Sequence, residues 1–307
     1  MRKNNNKIAD VNTVKTRWCY AVLSLQIIGI LVFTLYPMGW AVQKAWYYYT
    51  GAPSQTRYVG WENFAAIFTT DSVYWGTWLN TLRFVLAKIP IELALALLLA
   101  SLLQRGIRGK GLYRVIYFMP SVISVAIVGI VFSNMFDYFG FINAWLIKLG
   151  FIGSEIDWFG SGNTAMAALV TGSIWSGFGI NTIYFIAAYS NVSKDLYEAS
   201  ALDGANKFQQ FIHVTLPQIA PVFQTILLLT LNANLHVNDY ILVTTNGAPG
   251  GKTFTVMSYL ASKYLPGFAE QSVNIGYGCA LSIVTSVIMC LIAIGYTKLS
   301  AKLQDLN

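Results

Sequence analysis

Long apolar runs, each about 18 residues or more and nearly free of charge, divide this chain into segments. Hydrocarbon offers a backbone no water, so a spanning segment must satisfy its own N–H and C=O groups. A helix does this within one run. Charged residues make up 11% of the chain and the mean hydropathy is +0.53, against about 25% charge in a soluble domain. The expectation is an all-α membrane protein with six transmembrane helices, at roughly 18–42, 81–103, 115–135, 163–189, 222–240 and 278–296.

The basic residues orient these spans. Arg2, Lys3, Lys7, Lys15 and Arg17 precede the first, and Arg105, Arg108, Lys110 and Arg114 crowd the short loop after the second. Such clusters stay on the cytoplasmic side. Both ends then lie in the cytoplasm, as a tail at 1–17 and a tail at 299–307 flanking one helical domain at 18–298. The net charge of +7 is read as this topology signal and not as nucleic-acid binding. No cleavable signal is evident, because the chain stays polar for 17 residues before its first apolar run. The segment 44–80, rich in Trp and Tyr, is expected to lie along the outer headgroup zone as short interfacial helices.

A polar island interrupts this pattern at 190–221, on the cytoplasmic side. Residues 196–217 read LYEASALDGANKFQQFIHVTLP. Asp195 followed by Glu198 can open a helix, which Asp203-Gly204 would end, since Gly accepts positive φ. A second helix would carry Phe208, Phe211 and Ile212 on one face, and Pro217 would stop it. The spacing resembles the EAA loop of permease subunits of binding-protein-dependent ABC importers. Their pattern is Glu-Ala-Ala, three residues, Gly, nine residues, Ile, one residue, Leu-Pro. Glu198, Ala199, Gly204, Leu216 and Pro217 match, while Ser200 replaces Ala and Val214 replaces Ile. The runs LYEA, LDGA and TLP, with YVGWENF and Asn80-Thr81-Leu82, resemble the carbohydrate-uptake, maltose-type branch.

The resemblance implies the importer permease bundle, with a coupling loop in which Glu198, Ala199, Asp203, Gly204, Leu216 and Pro217 engage an ATPase. It implies the partners too: a homologous second permease, two cytoplasmic ATPase subunits, an extracellular solute-binding protein and the lipid of a bacterial cell membrane. It implies uptake of a sugar, polyol, oligosaccharide or glycerol phosphate.

Other features bear on the chemistry. Asn246-Gly-Ala-Pro-Gly-Gly-Lys-Thr253 nearly matches a phosphate-binding loop, but its first glycine stands one place late and a span precedes it where a strand is needed. ATP and Mg are therefore expected on the partner ATPases, with no cofactor bound by this chain. Carbohydrate permeases often carry a Thr, Gly-Gly-Pro-like turn here, to which Thr245, Gly247, Ala248 and Pro249 correspond with Ala for one Gly. The fifth span holds Asn232, Asn234, His236, Asn238 and Asp239. Unpaired amides and imidazoles are costly in lipid, so they face either other helices or a wet path, and Asn234, His236 and Asn238 suit hydroxyl-rich solutes. Trp175 and Tyr184 could stack on sugar rings or serve the core. Glu92 is expensive at mid-membrane, which makes it a pathway candidate, although Lys88 one turn earlier offers an internal ion pair. An ion- or proton-coupled carrier using Glu92 is the alternative function. The two histidines, His213 and His236, fall on opposite sides of the topology, and the three cysteines lack metal or disulfide spacing, so no catalytic or metal site is expected.

Overall fold

The computed structural model describes residues 3–104, 109–264 and 273–304. Arg105 and Arg108 of the basic loop, Pro266 of the outer return and both extreme ends of the chain lie outside the described residues. The chain forms two compact units.

The first unit comprises residues 1–68 and 271–284. Helix α1 (Lys3–Ile30) runs through a π-helical turn at Leu31–Leu35 into α2 (Tyr36–Lys44). The span Trp18–Lys44 presents exposed apolar side chains nearly throughout, the surface a lipid-facing helix needs. The segment after it departs from the expected interfacial helices. Strands β1 (Tyr47–Tyr48) and β2 (Arg57–Tyr58) pair antiparallel, and helix follows only at α3 (Glu62–Thr69) and from Ser72, where the next long helix begins. Aromatic density explains this: Tyr47 and Tyr58 meet edge-on across the strands at 5.4 Å, and Trp46 packs on Trp61 at 4.4 Å. The Lys44 ammonium sits 4.7 Å from the Tyr49 ring centroid. Asn63 donates to the carbonyls of Ala45 and Tyr47 and accepts from Asn274, which fastens the segment to the residues before the last helix.

The second unit, residues 69–270 and 285–307, holds the remaining bundle. Helix α4 (Ser72–Gln104) begins well before the expected span and passes through Pro90 without ending. The third span is not one helix. Helices α5 (Lys110–Val122) and α6 (Val125–Met135) meet at 91°. Ile123 and Ser124 are extended there, with ψ of 137° and 133°. Pro120, Ser121 and Ser124 mark the break in an otherwise apolar run. Packing accounts for the bend: α5 lies against α8 (Gly162–Ser190), after the short α7 (Phe141–Lys148), while α6 lies against a later short helix at 239–244. Phe84, Val128, Phe132, Phe136, Leu169 and Ile241 form the core of this unit.

Small residues let α8 approach its neighbours. A Cβ on Gly179 would collide with the Tyr117 carbonyl oxygen, and one on Gly172 with Phe132 and the Tyr240 hydroxyl. Gly179→Val is therefore expected to part α5 from α8 and to reduce the yield of monodisperse protein in detergent. Gly29→Val, where nothing lies within 4 Å, should leave it unchanged.

Beyond α8 come α9 (Lys194–Leu202), α10 (Lys207–Gln210), a π-helical turn at Phe211–Thr215, and α11 (Leu216–Leu235). Pro217 does not stop the helix as its sequence context suggests. The Leu216 N–H bonds the Phe211 carbonyl, an i→i−5 step that widens the ladder so the proline ring is accommodated. The same device precedes Pro37, where the Tyr36 N–H bonds the Leu31 carbonyl. Helix α11 ends at Leu235, short of the expected 240. The chain then breaks at His236 before α12 (Asp239–Thr244) and α13 (Val256–Tyr264). Asn238 thus lies beyond α11, while the His236 N–H still bonds the Asn232 carbonyl at 3.3 Å. The last helix, α14, spans Ile275–Gln304. Among the described residues, five helices are long and apolar enough to cross a membrane, or six with the bent pair counted as one span.

Candidate solute pathway and coupling loop

The island folds as a helix, a sharp turn and a second helix. Ser193, and not Asp195, caps α9: its hydroxyl accepts from the Asp195 N–H at 3.2 Å, while Asp195 lies in the first turn where a negative charge suits the helix dipole. Gly204 follows at φ +84°. Asn206 and Gln209 then form a reciprocal capping box on α10, a four-residue signal that the sequence reading passed over.

Buried Gln210 ties the two helices together. Its amide donates to the Tyr197 carbonyl at 3.1 Å and to the Ser200 hydroxyl at 3.0 Å, and the hydroxyls of Tyr197 and Thr215 lie 2.8 Å apart. The Ser that departs from the loop pattern thus accepts a bond that Ala could not. Gln210→Ala should cost the loop ~1–3 kcal/mol, read as faster hydrogen exchange across α9.

Glu198, Ala199 and Asp203 are exposed, Leu216 is partly buried and Pro217 is exposed. Around the turn, Leu202 and Phe208 are 90% and 70% exposed, the most exposed of the loop's large apolar side chains. Ser200, Asp203, Gly204, Gln209 and His213 border a shallow depression of about 270 Å³ beside them.

Inside the bundle, Glu92 and Asn234 are brought together through Lys88. The Lys88 ammonium donates to Asn234 Oδ1 at 2.6 Å and lies 3.4 Å from Glu92 Oε2. Asn181 donates to Glu92 Oε1 at 2.8 Å, and Thr230 donates to Asn181 Oδ1 at 3.2 Å. Gly177 leaves room for the carboxylate, which a Cβ there would meet. The knot joins α4, α8 and α11, and all five polar side chains are buried.

The other candidates do not join it. His236 is exposed at the end of α11, with Nδ1 donating to the Asn232 carbonyl at 2.8 Å. Asn238 donates to Asp239 at 3.2 Å. Trp175 lies 5.6 Å from the Phe132 ring, and Tyr184 is exposed.

A cavity of about 970 Å³ opens along the parallel faces of α4 and α8. Asn80, Arg83, Ala87 and Ile91 line one wall, Asn163, Met166, Val170 and Thr171 the other, and Lys252 its end. None of the six pathway candidates lines it. Sequence reasoning missed Arg83, although a cation inside an apolar run with no acid three or four residues away is itself a signal.

A multi-span bundle with a largely apolar cavity edged by polar and cationic side chains, and an exposed helix–turn–helix loop, has the form of a membrane transport subunit. The family model for the inner membrane component of binding-protein-dependent transport systems matches residues 92–305, and the chain belongs to that family. A probable ABC transporter permease protein of Bacillus subtilis (strain 168), YesP, is 33% identical over 92% of this chain and 90% of its own length. The arabinooligosaccharides permease AraP of the same organism is 31% identical over 91% and 87%. The trehalose/maltose permease MalF of Thermococcus litoralis is 27% identical over 98% and 100%. Among solved structures, a bacterial ABC transporter that imports the acidic polysaccharide alginate shares the fold, with TM-score 0.80, 22% identity and coverage of 95% of this chain and 98% of that one.

Proposed function

We propose that this chain is one transmembrane subunit of an ATP-driven importer for sugars or oligosaccharides, pairing with a homologous permease to enclose the pathway. Two ATPase subunits dock on the 190–221 loop and carry the ATP and Mg. A solute-binding protein delivers the solute outside, and both chain termini lie in the cytoplasm of a bacterial cell. The observation that supports this reading best is the full-length similarity to relatives named for arabinooligosaccharide and trehalose/maltose transport. The exposed Leu202 and Phe208 beside Gly204 give an ATPase cleft something apolar to hold. ATP then closes the ATPase dimer, and the loop carries that motion into α11, with which it is helically continuous.

The test is to delete the chain in its host and measure saccharide accumulation. Loss of uptake of one saccharide class, restored by the intact chain, supports the reading. Undiminished uptake of every saccharide tried refutes it.

A further inference from the structure

We propose that the solute this cavity accepts is an anionic saccharide, a uronate oligomer whose carboxylates are met by Arg83 and Lys252. The proposal rests on the saccharide-import reading above.

Arg83 and Lys88 sit five residues apart on α4, yet their surroundings differ. Lys88 is buried against Glu92 and Asn234. Arg83 is exposed, has no ion pair or hydrogen bond among the described residues, and lines the open cavity. Its neighbours at three and four residues are Leu79, Asn80, Leu86 and Ala87, none of them acidic. A cation within a span needs a counter-charge or a wet path.

The second cation comes from a distant loop that is shaped to deliver it. Gly247, Gly250 and Gly251 adopt positive φ, and the Thr253 hydroxyl donates to the Ala248 carbonyl at 2.8 Å. Lys252 then lies over the start of α8: a Cβ on Gly162 would stand 2.9 Å from Lys252 Cβ. Among the described residues Lys252 also has no ion-pair partner. Two unpaired cations therefore border one cavity, at the same end as Asn80, Ser161 and Asn163.

The remaining lining suits a carbohydrate. Asn80, Ser161, Asn163 and Thr171 offer donors and acceptors for hydroxyls, while Ala87, Ile91, Met166 and Val170 offer apolar surface for ring faces. The volume of about 970 Å³ lies at the upper end of the ~300–1,000 Å³ typical of small-ligand sites, enough for more than one sugar ring. A neutral sugar needs only the amides and hydroxyls and would leave both cations without a counter-ion. A uronate supplies planar carboxylates, which the guanidinium fork grips in bidentate fashion and the ammonium meets as a point charge.

The test uses the whole importer, this chain with its partner permease, ATPases and solute-binding protein, in phosphatidylcholine vesicles that hold no anionic headgroup. ATP-driven uptake is measured for labelled trimers of galacturonate, mannuronate and guluronate, for their carboxyl-reduced neutral counterparts, and for a hexose phosphate. The expected result is uptake of at least one uronate trimer and not of its neutral counterpart. Arg83→Gln and Lys252→Gln should each reduce that uptake roughly 10- to 100-fold, the loss of one charge-assisted contact, while Arg83→Lys should keep part of it. Uptake of neutral trimers in preference, with no loss in either variant, would overturn the proposal, and so would uptake of the hexose phosphate alone. If Arg83→Gln stops the partner permease co-purifying, Arg83 is a subunit contact and the proposal fails. Failure to transport any saccharide would instead remove the saccharide-import reading on which the proposal stands.

Discussion

Lys88→Met alone is expected to destabilise the bundle by ~3–5 kcal/mol, and Glu92→Gln by a similar amount, because each strands a buried charge. The double variant Lys88→Met with Glu92→Gln should lie within about 1–2 kcal/mol of the parent. Gln keeps an acceptor for the Asn181 amide that now donates to Glu92 Oε1 at 2.8 Å, and Met fills the lysine stem's volume without a charge. The reason for so large a coupling is location. The pair sits on one helix, but its satisfaction depends on Asn181 of α8 and Asn234 of α11, so an unpaired charge disturbs three helices at once. Thermal stability in detergent for the two single variants and the double closes the cycle. Additive losses would mean that the two side chains act independently. If Glu92→Gln kept full stability but lost transport with an altered pH profile, Glu92 would instead act on protons in the pathway.

The second large effect concerns the coupling turn. Gly204→Arg is expected to leave folding nearly intact while removing the ATPase from the purified assembly. A side chain at φ +84° costs only ~1–2 kcal/mol, and no atom lies within 4 Å of a Cβ there, so the bundle tolerates the change. What fails is docking, since a long charged chain would project from the turn beside Leu202 and Phe208. Gly204→Asn is the informative control. Asn adopts positive φ more readily than other side chains and is small, so the ATPase should still follow this chain through purification. Retention by Gly204→Arg as well would remove the turn from the coupling contact.

Much of the helical order was legible, for reasons that particular residues make plain. The span at 163–189 fell within one residue of α8 because its polar residues are few and small, and Ser161 and Ser190 bracket it closely. The turn at Gly204 was legible because few residues other than glycine tolerate that φ. Proline misled the reading at Pro217, since the rule that it ends helices assumes an α ladder and the chain uses a π turn instead. The 91° break at Ile123–Ser124 follows Pro120-Ser121, a mark passed over because the long apolar stretches on either side read as one span. In the cavity, Arg83 could have been singled out from its own helix. Lys252 could not, because a loop some 170 positions away brings it there, and the near-match to a phosphate-binding loop drew its reading elsewhere.

ATP hydrolysis by the reconstituted assembly of two permeases and two ATPases, with and without saccharide-loaded solute-binding protein, tests ATP-driven import most directly. Hydrolysis is expected to rise several-fold with the loaded protein, saccharide accumulation to track it, and both to be lost when Gly204 is replaced by Arg. Accumulation that follows an imposed pH gradient and persists without ATP would contradict ATP-driven import.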